Sequence, residues 1–444
     1  WKWALGAFSV ARGYPAIVAF HEDRLVLGST DDEPDTVWVS ESGSYDSFAQ
    51  RSANQILATN SFRATLANGQ VNQIEWAVSM RDGLVMGTAT AEWILEPAQT
   101  NAPLGPDNYR TRTTSSHGSR SVTPVRVDKT AFFVQRRGRK LRDLGYDPNP
   151  RELMGTDLSV RAEHLTKTYS LTHMAWVQEP DALLWCVRSD GTLLSFTFQS
   201  EHSVYAWGRH PLGGYSDSGD TAAPVVEAIC SIPAPDGLQN ELWMIVRRYI
   251  DGGTKRYIEY LHPRWVPGDA LEDAKMSDSL LTYDGSAVST VSGLWHLKGE
   301  TVKVLADGKV HPDVVVDSSG KITLNYTASV VQVGLGMRAR WQSQNLEALT
   351  RSGTAQGKRK IIGEVAVRLI DATNIKYGAT FADMIRHEFT TLSTTYSGAL
   401  APFTGDVSVT WPGAWDDTVY VCIENDYPVP LGLAALFPDV TVTG

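Results

Sequence analysis

The densest run of chargeable side chains in the 444-residue chain is QRRGRKLRD at 135–143. Arg136, Arg137, Arg139 and Lys140 surround Gly138, with strand-like apolar residues upstream. Clustered arginines present planar, forked donors that match phosphate or carboxylate oxygens in pairs. At a hairpin turn these four residues are candidates for contact with DNA or a protein partner. The same run also suits a solvated hairpin tip whose charges keep a strand edge soluble. A second basic stretch, GTAQGKRK at 353–360, adds Lys358, Arg359 and Lys360 to the candidates. It is not a phosphate loop, which needs four residues between its glycines and a Ser or Thr after the Lys. Here three residues separate Gly353 from Gly357, and Arg359 follows Lys358. A basic loop feeding the strand KIIGEVAV is the expected structure.

Other constellations fail on spacing. VGLGM at 333–337 lacks a third glycine and a following helix. The ten histidines include no HExxH and no i, i+4 pair, and read as surface or packed residues. There is no GxSxG nucleophile elbow, and no Ser has an obvious His partner in sequence. Asp31, Asp32, Glu33 and Asp35 cluster in a hairpin-like turn and read as solvated loop charge rather than as an acid pair converging in a cleft. SDGTL at 189–193 reads as an ordinary turn, without the repeated SxDxGxTW box of sialidase-type propellers. Cys186 and Cys230 lie in apolar runs and read as buried thiols; with Cys422 they make an odd, sparse set. Such a set is neither a disulfide framework nor a zinc site, and fits folding in a reducing cytoplasm. No catalytic residue, metal or cofactor is assigned, and the chain reads as a non-enzyme.

Composition points the same way. The net charge of −10 is opposite in sign to the footprint of a domain that grips nucleic acid by its phosphates. A surface that DNA slides past remains compatible with it. The stretch 276–444 carries 13 bases and 17 acids, so neither part of the chain is strongly polarised. No apolar run approaches the ~20 residues of a membrane span.

The elements that must position these residues are strands. Five apolar runs look alike: RLVLGS at 24–29, GLVMGT at 83–88, AFFVQR at 131–136, LLWCVR at 183–188 and LWMIVR at 242–247. Each follows a turn signal and precedes a second strand: TVWVSES, AEWILEP, KLRDLGY, LLSFTF and RYIEYL. Asp190-Gly191 marks a two-residue turn between one such pair. The repeat suits β-propeller blades, which stack to bury the faces a single blade leaves open. A pair of β-sandwiches is the alternative. The expected class is all-β: a propeller-like domain of about five units over 1–262, a linker at 263–280, and a second sandwich- or barrel-like β domain over 281–444. That domain carries a polar insertion near 371–403. Short helices are expected at 156–166, from Leu158, Ala162 and Leu165, and within 379–389; 99–121 reads as a long loop. GEVAVRLI alternates, with Val365, Val367 and Leu369 on the buried face.

The ordered series itself resembles a family. GYPAIVAFHEDRLVLGST at 13–30, VWVSESGSYDSF at 37–48, QIEWAVSMRDGLVMGTATAEWILEP at 73–97 and SVTPVRVDKTAFFVQRRGRKLRDLGYD at 121–147 belong to it. So do DLSVRAEHLT at 157–166, MAWVQEPDALLWCVRSDGTLLSFTF at 174–198, AWGRH at 206–210, ELWMIVRRYIDGGTKRYIEYL at 241–261 and DYPVPLGLAAL at 426–436. Together they resemble the tail tubular, or nozzle, proteins of short-tailed, podovirus-like bacteriophages. The resemblance implies a structural virion protein made in the bacterial cytoplasm, with a propeller on each subunit of a hexameric ring. It implies tail adaptor and tail fibre proteins as partners, transient passage of phage DNA without sequence-specific binding, and no catalytic residues. Two other readings stay open. One is a glycan- or receptor-binding propeller using Trp207, Trp411 or Trp415; the other is a tailspike-like polysaccharide hydrolase.

Overall fold

The computed structural model describes residues 6–50, 55–66, 72–99, 102–147, 152–347, 349–350, 353–389 and 401–443. Its elements are almost all strands. The first sheet runs in chain order through β1 (Ile17–His21), β2 (Arg24–Gly28), β3 (Thr36–Val39) and β4 (Phe62–Thr65). The second repeats this with β5 (Ile74–Met80), β6 (Gly83–Thr88), β7 (Glu92–Glu96) and β8 (Arg110–Ser115). The third holds β9 (Val125–Val127), β10 (Thr130–Val134), β11 (Leu141–Asp147) and β12 (Glu152–Asp157). A single-turn helix α1 (Glu163–Thr166) precedes the fourth: β13 (Leu171–Val177), β14 (Leu183–Arg188), β15 (Leu193–Gln199) and β16 (Val204–His210). A fifth has three strands, β17 (Val225–Pro233), β18 (Asn240–Ile250) and β19 (Gly253–Leu261).

The five apolar runs read from the sequence are β2, β6, β10, β14 and β18, the second strand of each sheet. Side chains alternate across a strand, so a sheet covered on both faces needs apolar residues at successive positions. β6 is such a strand, buried at every position. Its Leu84 and Met86 pack with Val26, Val37 and Phe62 of the first sheet. Val85 and Ile94 of the second sheet face the opposite way, onto Ala131, Phe133 and Leu144 of the third. Phe132 and Val134 then meet Leu184, Cys186 and Phe196 of the fourth. Four-stranded antiparallel sheets stacked in chain order form the propeller-like domain. Gly87 makes one of these contacts possible, because a Cβ there would lie 2.2 Å from the Trp76 ring.

The chain divides into two compact units, Trp1–His210 with Val226–Met244, and Pro211–Val225 with Ile245–Gly444. The division thus falls inside β18 and not at the polar stretch 263–280. The reason is a buried ionic group in the second unit. Arg248, fully buried, donates from Nε to Gly213 O at 3.0 Å and ion-pairs with Glu259. Asp278 accepts the Gly213 N–H, and Tyr249 N–H donates to Tyr215 O at 2.8 Å. These bonds tie the segment 211–225 to the strands after 245.

The second unit is also all-β. β20 (Asp278–Ser292), β21 (Thr301–Ala306), β22 (Lys309–Val315) and β23 (Lys321–Leu335) make a sheet in the order β20-β23-β21-β22 over its own core. β24 (Ala339–Gln342) is followed by the two-residue strands β25 (Leu349–Thr350) and β26 (Gly353–Thr354). β27 (Lys360–Ala372), β28 (Asn374–Thr380), β29 (Asp383–Glu388), β30 (Phe403–Thr410), β31 (Cys422–Asn425) and β32 (Gly432–Val442) complete the chain. The sheets β30-β27-β32 and β24-β31-β28-β29 share one core, in which Val365, Val367 and Leu369 are buried as their alternation predicts.

Four expectations are corrected. The helix at 156–166 is only α1, because Asp157 stays in β12 opposite Arg142; Leu158, Ala162 and Leu165 are nonetheless core residues. The segment 379–389 is not helical: β28 and β29 form a hairpin with Tyr377 opposite Ile385. The loop 99–121 contains β8, a polar outer strand whose Arg110 and Arg112 both pair with Glu96. Asp190-Gly191 lies in a four-residue connection, closed by Arg188 N–H to Thr192 O at 3.0 Å. Within the insertion 371–403, residues 390–400 lie outside the described residues.

Candidate functional site

The basic run at 135–143 folds as expected into the β10–β11 hairpin. Gln135 N–H donates to Lys140 O at 2.9 Å and Gly138 N–H to Gln135 O at 2.7 Å. Gly138 is left-handed, with φ +77°, and buried. A Cβ at this position would come within 2.5 Å of both Arg120 Nη1 and Ser170 Cβ. The glycine therefore lets Arg120 lie across the turn. Arg120 is held there by the backbone: its N–H donates to Val134 O at 3.0 Å, and Arg136 N–H donates to Gly118 O at 2.8 Å.

Arg136, Arg137 and Arg139 are exposed, and Arg120 is half-buried. None of the four guanidinium groups has a carboxylate partner among the described residues. Lys140 differs, since its Nζ is 2.5 Å from Asp157. The tip is thus four unneutralised arginines around one glycine, with the lysine withdrawn into an ion pair. Arg120 was not legible from local spacing. It lies 15 residues before the run, and only the strand-like pairing of 118–120 with 134–136 brings it in.

The second basic stretch belongs to the other unit. Lys360 is fully buried: its Nζ lies 3.2 Å from Glu347, and its backbone exchanges two hydrogen bonds with Asp416. It is a structural residue and unavailable to DNA or a partner. Arg359 is exposed and Lys358 half-buried.

One pair of catalytic type does form. Ser195 Oγ lies 2.8 Å from His210 Nε2, on neighbouring strands β15 and β16. Burial pushes His210 down to about 4, so the ring is neutral at physiological pH and a weak base. Ser195 is itself buried, and no carboxylate orients the ring among the described residues. The pair reads as a satisfied buried hydrogen bond rather than a nucleophile and its base.

A recess of about 180 Å³ lies beside Arg24. The Arg24 guanidinium is spent on the carbonyls of Ser40, Ala58 and Asn60 at 2.6 to 2.9 Å, with Leu104 O at 3.4 Å. Those bonds fasten loops and leave no free donor fork for a ligand. No group of three or more His, Cys, Asp or Glu among the described residues is arranged to hold a metal ion. Of the tryptophans singled out for glycan contact, Trp411 is buried, and Trp207 packs on Phe196 with its Nε1–H on Leu158 O. Trp415 alone of the three is exposed. Cys186 is buried, but Cys230 is exposed.

No family model and no curated protein matches the chain. Solved structures that match the chain include human WBSCR16, at 10% identity over 73% of this chain and 87% of that one, with a TM-score of 0.30. The β-propeller domain of Cps50 (Swd1) from Myceliophteria thermophila is similar at 9% identity over 56% and 87%, with a TM-score of 0.28. A protein from Lactobacillus plantarum is similar at 9% identity over 72% and 87%, with a TM-score of 0.32. The propeller assignment rests on the chain's own stacked sheets. No helix among the described residues is long and apolar enough to cross a membrane.

Proposed function

We propose that the chain is a structural component of a short-tailed bacteriophage tail that forms or lines the distal nozzle through which DNA leaves. One observation carries this reading. The five apolar runs within the motif series fall on the second strand of five consecutive sheets, so that part of the resemblance follows the repeat of the fold. The propeller that the resemblance implies on each subunit is the same fold class as the stacked sheets of the first unit. A hexameric ring in the virion, contacting adaptor and fibre proteins, follows from the same reading. The net charge of −10 suits a conduit, because an acidic surface repels phosphates and keeps DNA moving. Native mass spectrometry of the purified chain tests the proposal. A six-copy species, or incorporation into a portal–adaptor complex, is expected; a persistent monomer contradicts it.

A glycan- or receptor-binding role is the second reading. It is favoured by the exposed Trp295, Trp341 and Trp415 of the second unit. Retention of the chain on a glycan array, lost on replacing these three with Ala, would support it.

A further inference from the structure

The net charge conceals a separation within the first unit. Residues 22–46 hold eight acids and a single base, Arg24, which is buried. Residues 120–142 hold eight bases and a single acid, Asp128. The two stretches therefore carry −7 and +7. They belong to the first and third sheets, which the second sheet separates.

The edge strand β1 of the first sheet also has an uncovered side. Ile17 and Ala19 of β1 face the second sheet, so Val18 and Phe20 face away from it. Phe8 covers Trp38 at 5.1 Å, but Val18 and Phe20 are left 63% and 61% exposed. The second and third sheets have apolar partners on both faces. Acids bracket the bare strip. Glu22 and Asp23 form the β1–β2 turn at one end, and Asp31, Asp32, Glu33 and Asp35 lie in the β2–β3 connection at the other. Among the described residues, only two of these acids have an arginine partner: Arg12 lies 3.7 Å from Asp32, and Arg63 lies 3.1 Å from Glu33.

We infer that the arginine tip of one copy, Arg120, Arg136, Arg137 and Arg139, docks on the acid-bracketed face of the first sheet of a second copy. This rests on reading the chain as a self-assembling structural component, and it names the surfaces. Four like charges held around one glycine repel each other in the free chain, and a matching set of carboxylates relieves that repulsion. A lone phosphate does not fit as well, since the arginines stand out on a turn and line no cavity. The two surfaces differ, so the contact is heterologous and propagates from copy to copy, closing into a ring where the rotation allows.

Sedimentation velocity over micromolar concentrations tests the contact with three variants of the full chain. The tip variant carries R136E, R137E and R139E; the face variant carries D31K, D32K and D35K; the third carries all six changes. Each single-surface variant should associate about tenfold more weakly or worse, and the six-change chain should recover, because both charges are inverted together. Phe20→Ser should weaken association without altering charge, which guards against a face variant that fails to fold. Added salt should loosen the wild type. If the wild type assembles but the tip and face variants assemble equally well, these surfaces are wrong and the structural reading survives. A wild-type chain that stays monomeric overturns both. If the tip variant assembles normally but loses affinity for duplex DNA, the tip serves a polyanion and the docking inference falls.

Discussion

Replacing Asp278 with Asn should make the second unit more stable at neutral pH and remove a slope from its pH dependence. Burial pushes the Asp278 carboxyl up to about 6 from an ordinary 3.8, against the lowering effects of the Gly213 N–H and Arg248. Glu259, which is ion-paired with Arg248, adds to the rise, so Asp278 shares that one cation with a second carboxylate. A folded-state value above the unfolded one means the fold prefers the protonated acid. The stabilisation is fully present below 3.8 and fades as pH rises through about 6. At about 1.4 kcal/mol per unit, the ionised group costs the fold up to about 3 kcal/mol at pH 7.5. Asn keeps a carbonyl acceptor for the Gly213 N–H and carries no charge. Hydrogen exchange under increasing urea, read by mass spectrometry on peptides spanning 245–262, isolates the unfolding of this unit. The stability difference between variant and wild type should grow from near zero or below at pH 4 to its maximum by pH 7. A difference that stays flat across this range, or a variant several kcal/mol weaker at pH 7.5, would refute the account of the buried group.

Three further outcomes are expected. Gly87→Ala should destabilise the first unit by about 2–3 kcal/mol, since the added carbon must displace the Trp76 ring or its strand; a thermal melt measures it. Lys360→Ala should cost about 3 kcal/mol by emptying the space of a fully buried side chain, while Arg359→Ala on the neighbouring exposed position should stay within about 0.5 kcal/mol; urea titration separates them. The R136E, R137E and R139E chain should melt within about 1 kcal/mol of wild type, because these side chains hold no partner in the fold; circular dichroism checks it.

The second, third and fourth sheets were legible because each is built around a strand buried on both faces. GLVMGT, AFFVQR and LLWCVR are continuous apolar runs bounded by turn residues, and each became the second strand of its sheet. Polar edge strands carry no such signal. β8, RTRTTS, read as loop because its stability comes from pairing with β7 and from Glu96 bridging two arginines. The 379–389 segment misled in the other direction: Phe381, Met384 and Ile385 have helical spacing, but their backbone is claimed by pairing with β28. The domain boundary was invisible for a related reason. A polar, proline-bearing stretch looks like a linker, whereas the division inside β18 is set by Arg248 reaching Gly213, a contact between distant positions. In the candidate site, Arg136, Arg137 and Arg139 were readable from their density, and Lys140 and Lys360 were over-read. Composition cannot tell an exposed cation from one consumed by Asp157 or Glu347.

The proposed role as a structural part of a phage tail is tested most directly by locating the chain in the particle. Virions of the phage encoding it, imaged by electron cryomicroscopy with an antibody against the chain, should show the label at the distal end of the tail with six-fold symmetry. Virions that lack the chain, or that carry it away from the tail, would contradict the account.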